Sequence, residues 1–204
     1  MTAANGASTT SSPSSTTPSS SSTAKPTSIL FVCLGNICRS PMAEGVFRHL
    51  LTSSPSHPPI TRIDSCGTGA YHIGDPPDPR TMSVLEDHGI TSYRHRARKL
   101  SRKDFDEFEW IMAMDEDNLD YLSRMRRKIV ENKGMSEEEA ERLGKVGLWG
   151  DFGGNPGEEV VDPYYGARDG FSIAYEQMVR FSRGFLRFLE ERGEQGALDE
   201  LNRS

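Results

Sequence analysis

The sequence predicts an α/β fold, a three-layer sandwich with a central four-stranded parallel sheet and helices on both faces. The first observation is the continuous apolar run at residues 29–32, which is typical of a strand buried on both faces. The second is that short apolar runs alternate with helical patterns along the chain. The third is the size: 204 residues, 35% of them hydrophobic, suit one domain with a sizeable core.

The predicted elements follow one another from residue 29 to residue 191. Strands are predicted at 29–32, 60–66, 110–114 and 146–149, and helices at 41–51, 78–88, 116–126 and 172–191. Asp115 is a candidate N-cap, and Ser136 with Glu139 forms a capping box for an extra or extended helix within 127–150. The last helix is amphipathic, and its apolar residues, including Ile173, are expected to face the sheet.

Residues 1–27 differ in composition from the rest of the chain. They are almost wholly Ser, Thr, Pro, Ala and Gly, and Lys25 is their one charged side chain. Such a segment cannot bury enough apolar surface to offset the entropy lost on ordering. We therefore expect a disordered tail at 1–27 and a single folded domain at 28–204.

Charge and cysteine content restrict the partners and the compartment. A net charge of -6 and a pI near 5.4 argue against nucleic acid as a partner. The three cysteines, Cys33, Cys38 and Cys66, do not form a disulfide framework, and neither a signal peptide nor a membrane-spanning run is evident. We expect a cytoplasmic protein that does not bind membranes and is a monomer, with weak self-association left open.

A short loop after the first predicted strand carries the chemistry. Cys33 ends the strand, and Arg39 stands in front of a predicted helix with five residues between them. We call residues 34–38 the cradle loop, because its N–H groups, the helix N-terminus and the guanidinium would converge on the sulfur and hold a tetrahedral dianion. Such surroundings also stabilise the nucleophilic thiolate. The residues assigned to this site are Cys33, Leu34, Gly35, Asn36, Ile37, Cys38, Arg39 and Ser40.

The run from Cys33 to Pro41 resembles the signature of the low-molecular-weight protein tyrosine phosphatases. The resemblance extends from residue 28 to about residue 191. Its further motifs are Asp64-Ser65, the run at 74–80, the run at 95–98, Met114-Asp115-Glu116 and the run at 162–166. It implies that Asn36, Ser40, Ser65 and His95 form a network that keeps the cradle loop rigid. It also implies that Tyr71 and His72 lie at the mouth of the active site.

A second chemical centre lies at residues 162–165. Displacing an alcohol or phenol from phosphorus requires a proton for the leaving oxygen, and Asp162 is our candidate for its donor. Tyr164 and Tyr165 would provide an aromatic wall for a phenyl ring. The expected enzyme is a metal-independent phosphoric monoester hydrolase, with acid phosphatase activity, that acts on phosphotyrosine-containing proteins and small aryl phosphates through a cysteinyl-phosphate. No cofactor and no metal ligands are expected, since the sequence has no zinc-type cluster.

Two other functions were weighed against this one. An arsenate reductase on the same fold would need further resolving cysteines, and the chain has none after Cys66. A module that binds phosphoproteins without turnover would have lost Cys33 or Asp162, and both are present. Cys38 resembles the family's second cysteine, which can form a reversible disulfide with the nucleophile under peroxide.

Overall fold

The computed structural model describes residues 1–2, 27–53, 59–164 and 169–201. Most of the tail predicted at 1–27 lies outside the described residues, as does Tyr165. Both predictions therefore remain predictions. Among the described residues, no helix is both long and apolar enough to cross a membrane.

The sheet has four parallel strands in the order β2-β1-β3-β4. The strands are β1 (Thr27–Cys33), β2 (Ile60–Gly67), β3 (Trp110–Ala113) and β4 (Lys145–Leu148). β1 is interior and almost wholly buried, which explains its uninterrupted apolar run. Val32 pairs with Cys66 on one side and with Ala113 on the other. The carboxyl ends of these three strands therefore meet at one edge, where open α/β sheets bind their ligands.

The helices begin close to the predicted positions, but the helix predicted at 116–126 continues to Lys133 and the one predicted at 172–191 continues to Leu201. They are α1 (Arg39–Ser53), α2 (Pro79–Asp87), α3 (Asp104–Glu107), α4 (Glu116–Lys133), α5 (Glu137–Glu141) and α6 (Asp169–Leu201). Asp115 caps α4 by accepting the N–H of Asn118 at 2.7 Å, and the capping box at Ser136 is present. The short helix α3 was not predicted, and a 3-10 turn at Trp149–Gly153 replaces the predicted end of β4.

Two apolar cores lie on opposite faces of the sheet. Side chains alternate along β1, so that Ile29 and Phe31 belong to one core and Leu30 and Val32 to the other. The first core is packed by α1, α2 and α6, and the second by α3 and α4. This three-layer arrangement confirms the predicted fold class.

The prediction that Ile173 faces the sheet is wrong. This side chain is 49% exposed. Phe171, Ala174 and Met178 of α6 are fully buried, and their spacing places the core-facing stripe on the other side of the helix from Ile173. At the start of α6, the buried stripe therefore includes Phe171 and Ala174 but not Ile173.

Candidate active site

The cradle loop connects β1 to α1 and bends around the sulfur of Cys33. The bend is made at Asn36, whose φ of 57° lies in the left-handed region that asparagine tolerates better than most residues. The N–H of Asn36 lies 3.2 Å from Cys33 Sγ, and Ser40 Oγ lies 3.1 Å from the same atom. α1 begins at Arg39, so the positive end of its dipole directly follows the loop. This environment suits an anionic sulfur.

The side-chain amide of Asn36 holds the left-handed turn in place. Its Oδ1 accepts the backbone N–H of Arg98 at 2.9 Å and lies 2.8 Å from His95 Nε2. Its Nδ2 donates to the hydroxyl oxygens of Ser40 and Ser65, both at 3.0 Å. Since a backbone N–H can only donate, the orientation of the amide is fixed. The structure thus brings together the four residues that were predicted to form the network.

The hydroxyl protons of this network have one consistent order. Ser65 Oγ lies 2.8 Å from Glu44 Oε2, and a carboxylate only accepts, so the Ser65 proton points to Glu44. The Ser65 oxygen is then free to accept from Asn36. Because Asn36 also donates to the Ser40 oxygen, the Ser40 proton can point to Cys33 Sγ; the competing acceptor, a backbone carbonyl at 3.4 Å, is farther away. Ser40 can therefore donate to a thiolate.

Glu44 is a site residue that sequence reasoning did not identify. Its carboxylate is buried and accepts from Arg48 Nε and from the Tyr93 hydroxyl, each at 2.9 Å. His95 Nδ1 lies 3.4 Å from the same group. Burial lowers the pKa of His95, while the nearby negative charge of Glu44 opposes that shift. The sequence does contain one signal for Glu44, because it is a charged residue among the apolar and small residues at 42–47.

Arg39 is buried and held between two carboxylates. Its Nη1 donates to Asp115 Oδ2 at 2.6 Å, and its Nη2 lies 3.3 Å from Asp162 Oδ2. Burial alone would lower the pKa of the Arg39 guanidinium, but the anionic groups around it outweigh burial and raise that pKa. Asp115 was predicted only as a helix cap. It has a second role because β3 ends beside β1, which places residue 115 next to the cradle loop.

Asp162 reaches the same cleft from a distant part of the sequence. The chain before it is fixed to the sheet by Val160, whose N–H donates to the carbonyl of Met114 at 2.8 Å. The Asp162 side chain is 45% exposed, and its Oδ1 accepts the N–H of Tyr164 at 3.0 Å. The Asp162 carboxyl group therefore contacts the Arg39 guanidinium and is also accessible to solvent.

A cleft of about 360 Å³, which we call the Cys33 cleft, brings most of the predicted residues together. Its lining comprises Cys33, Leu34, Gly35, Ile37, Cys38, Arg39, Tyr71, His72, Asp162 and Tyr164. Tyr71 is 78% exposed at its edge. Asn36, Ser40, Ser65 and His95 do not line the cleft but support the cradle loop from behind. Tyr165 lies outside the described residues.

All three cysteines are free thiols, and their surroundings differ. Burial and the charge of Asp78 raise the pKa of Cys38 to about 12, so this thiol stays protonated at neutral pH. Burial also raises the pKa of Cys66 well above its ordinary value. Cys33, by contrast, has an amide N–H and a hydroxyl group directed at its sulfur. The redox role of Cys38 stays a prediction.

Glu44, Asp64 and His95 each place one possible metal ligand within 4.8 Å of the others. These groups already have other partners, however. The Glu44 carboxylate accepts from Ser65, Tyr93 and Arg48, and Asp64 accepts from Arg98 at 3.0 Å. A metal ion there would have to displace hydrogen bonds that hold the cradle loop. We therefore assign this cluster to the support of the loop.

Comparison with known proteins agrees with this geometry. The family model described as low molecular weight phosphotyrosine protein phosphatase matches residues 28–195. The protein of that name from Schizosaccharomyces pombe is 46% identical over 164 residues, which cover 80% of this chain and 97% of the relative. The human protein of that name is 42% identical over 161 residues, covering 78% and 93%.

Solved structures give the same result. The crystal structure of a protein tyrosine phosphatase from Entamoeba histolytica superposes with a TM-score of 0.64 at 32% identity. That match covers 81% of this chain and 97% of the other chain. With the fold and the cleft, these matches show that the chain belongs to the low molecular weight phosphotyrosine protein phosphatase family.

Proposed function

We propose that this chain hydrolyses phosphotyrosine in proteins, and small aryl phosphates, through a cysteinyl-phosphate intermediate. The observation that carries the proposal is the convergence of three groups on one cleft. Cys33 has hydrogen-bond donors directed at its sulfur, the Arg39 guanidinium lies beside it, and Asp162 contacts that guanidinium at 3.3 Å. Family membership supports the same reaction class.

In the first step, the Cys33 thiolate attacks phosphorus in line with the leaving oxygen. A sulfur–phosphorus bond forms as the phosphorus–oxygen bond breaks, and Asp162 donates its proton to the departing oxygen. The N–H groups of the cradle loop and the fork of Arg39 stabilise charge on the three equatorial oxygens. The products are the free phenol or alcohol and a phosphorylated cysteine.

In the second step, water attacks the phosphorus of the intermediate. Asp162, now a carboxylate, accepts a proton from that water, and the sulfur–phosphorus bond breaks. Inorganic phosphate leaves and the thiolate is restored. The Ser40 hydroxyl, at 3.1 Å from the sulfur, donates a hydrogen bond that stabilises the thiolate as a leaving group.

The mouth of the Cys33 cleft favours a flat aromatic leaving group. Tyr71 and Tyr164 both line the cleft and are exposed to solvent. Their rings provide apolar faces for the part of the substrate that extends from the phosphate-binding end at Cys33. Tyr165, which the sequence predicts as part of the same aromatic wall, lies outside the described residues. Phosphotyrosine in a protein chain fits such a site because its ring extends the phosphate away from the peptide backbone.

The conditions of action follow from the same groups. Asp162 must carry a proton to start the reaction, so we expect hydrolysis of small phosphate esters to persist in mildly acidic solution, as in an acid phosphatase. A reducing compartment would keep Cys33 as a free thiol, which supports a cytoplasmic location. We propose that the reaction needs no metal or other cofactor, because its two steps use only protein groups and water. A monomer, as expected from the sequence, contains all of these groups.

The proposal is tested by phosphate release from an aryl phosphate and from a phosphotyrosyl peptide in the presence of a metal chelator. Wild-type protein should release phosphate, and Cys33→Ser should abolish release. Cys66→Ala is the matched control, since it removes another buried thiol that lies outside the cleft. Turnover that survives in Cys33→Ser would contradict the mechanism. Binding of the peptide by wild-type protein without release would favour a phosphoprotein-binding module.

A further inference from the structure

Tyr93 and Glu44 lie behind the cradle loop, and neither lines the Cys33 cleft. The Tyr93 hydroxyl donates to Glu44 Oε2 at 2.9 Å, and that same oxygen accepts the Ser65 hydroxyl at 2.8 Å. Both side chains are nearly inaccessible, with Tyr93 7% and Glu44 4% exposed. Nothing in the reaction as described above requires a tyrosine at this position.

Glu44 must be an anion for the proton order in the network to hold. A protonated carboxyl group has an O–H of its own and would donate it to Ser65 or His95. If it donates to Ser65, the Ser65 proton must turn toward the Asn36 amide nitrogen or toward His95 Nε2 at 3.4 Å, and both of these nitrogens are themselves donors within the network. The hydrogen bond from Asn36 to Ser65 would be lost. It is one of four that hold Asn36 in its left-handed turn, so its loss loosens the turn that directs the Asn36 N–H at Cys33.

A buried carboxylate stays ionised only if enough donors face it. Glu44 has Arg48 on one oxygen and Ser65 with Tyr93 on the other. Ser65 cannot be counted as an independent donor, because its proton is the one being ordered. Tyr93 is therefore one of two donors, with Arg48, that face the Glu44 carboxylate from outside the network.

Tyr93 is fixed in this role by its packing. Its ring lies parallel to that of His95, with a 5° angle between the planes and 6.3 Å between the centroids. A Cβ at Gly45 would lie 3.4 Å from the Tyr93 ring and 3.2 Å from Leu85, so glycine allows the ring to approach α1 closely. Burial and the charge of Glu44 raise the pKa of Tyr93 far above its ordinary value, which keeps the phenol protonated as a donor.

We propose that Tyr93 is a positioning residue for the phosphatase reaction, acting through Glu44 on the hydrogen bonds that hold the cradle loop and the Ser40 hydroxyl. The inference rests on the proposed function for its effect on turnover. Its effect on the reactivity of Cys33 does not depend on turnover. The two can therefore be tested separately.

The direction in which Cys33 reactivity changes distinguishes an ordering role of Glu44 from simple charge repulsion. If Glu44 acted only as a negative charge near the sulfur, removing its donors and neutralising it would make the Cys33 thiolate easier to form. If Glu44 orders the network, the same change removes hydrogen bonds from the sulfur and makes the thiolate harder to form. The proposal predicts the second result.

The experiment compares Tyr93→Phe with Tyr175→Phe. Tyr175 is also buried, and it stacks on His88, but its hydroxyl has no hydrogen-bond partner within the described part of the chain. The rate of alkylation of Cys33 by iodoacetamide is measured from pH 4 to pH 9 (about the range in which such thiols ionise), and tandem mass spectrometry assigns the label. We expect Tyr93→Phe to move the pH midpoint upward by about half a unit or more, and Tyr175→Phe to leave it in place.

The acid limb of the pH profile of kcat/KM for an aryl phosphate should move in the same direction in Tyr93→Phe. Glu44→Gln provides a second variant, which keeps the volume and removes the charge, and should shift the alkylation midpoint the same way and further. Circular dichroism of each variant checks that the fold is retained. The proposal would be overturned if Tyr93→Phe or Glu44→Gln folds normally but has an alkylation midpoint equal to that of Tyr175→Phe or lower than it. A shifted midpoint in a protein without phosphatase activity would refute the proposed function and leave the ordering role standing.

Discussion

Substitution of Asp115 by asparagine tests how Arg39 is positioned. One oxygen of Asp115 accepts the N–H of Asn118 at 2.7 Å, and the other accepts Arg39 Nη1 at 2.6 Å. Asparagine has one oxygen, which keeps the helix cap, and one amino group, which would face the guanidinium as a donor against a donor. We expect α4 to be retained and Arg39 to turn away from its position beside Cys33.

The magnitude follows from the bond that is lost. A hydrogen bond between charged groups contributes about 1.5–3 kcal/mol. If this free energy is lost from the transition state, in which Arg39 binds the equatorial oxygens, kcat/KM should fall roughly 10- to 160-fold. The affinity for inorganic phosphate as a competitive inhibitor should fall as well, because the product contacts the same guanidinium.

The assay is steady-state hydrolysis of an aryl phosphate, with Asp117→Asn as the control. Asp117 lies in the same first turn of α4, is exposed, and carries the same charge, but has no ion-pair partner among the described residues. This control removes any effect of charge at the N-terminus of the helix. If Asp115→Asn and Asp117→Asn had equal kcat/KM values, Asp115 would not position Arg39.

Three further predictions concern other parts of the site. Asp162→Ala should slow hydrolysis of esters with poor leaving groups far more than that of p-nitrophenyl phosphate, and equal slowing of both would remove Asp162 as the proton donor. Tyr71→Ala should raise KM for a phosphotyrosyl peptide by about two- to tenfold with little change in kcat, as measured by initial rates. The hydrogen bond from Arg180 lowers the pKa of Glu158 from its ordinary 4.5 to about 2, so Glu158 stabilises the fold above pH 4.5 and loses this effect as pH falls toward 2. Urea unfolding should therefore show Glu158→Gln to be about 1 kcal/mol less stable at pH 7, after allowance for screening at this partly exposed site, and the difference should vanish as pH falls through that window.

The sequence located the part of the site that is local. Cys33, the cradle loop and Arg39 are contiguous, so the spacing of a strand, a bend and a helix is enough to predict their convergence. Asp162 was predicted from chemistry and resemblance, and the structure places it 3.3 Å from Arg39. Parallel strands with their carboxyl ends at one edge explain why so distant a residue reaches the loop.

The residues that were missed act through long-range contacts. Glu44 and Tyr93 are 49 positions apart, and the apolar and small residues around Glu44 in the sequence do not show which distant groups face its carboxylate. Asp115 was recognised as a helix cap because capping is local, whereas its bond to Arg39 depends on the order of strands in the sheet. Ile173 was misplaced because two apolar residues within one turn of a helix do not show which one faces the core.

The short helix α3 illustrates a similar limit. Its first residue, Asp104, is buried and accepts the N–H of Ser101 at 2.6 Å, while Arg98 pairs with the same carboxylate. The basic stretch at 94–102 lies between a predicted helix and a predicted strand, and the resemblance assigns His95 a role there. The same stretch also places Arg98 so that its backbone N–H holds Asn36 and its side chain pairs with Asp64 and Asp104.

The central claim is that phosphate passes through a covalent bond to Cys33. Rapid acid quenching of the protein during turnover of an aryl phosphate, followed by peptide mass spectrometry, measures this directly. The account predicts one phosphoryl group on Cys33, which accumulates in wild-type protein and is absent in Cys33→Ser. A phosphoryl group on another residue, or turnover by wild-type protein with the Cys33 peptide unmodified at every quench time, would contradict it.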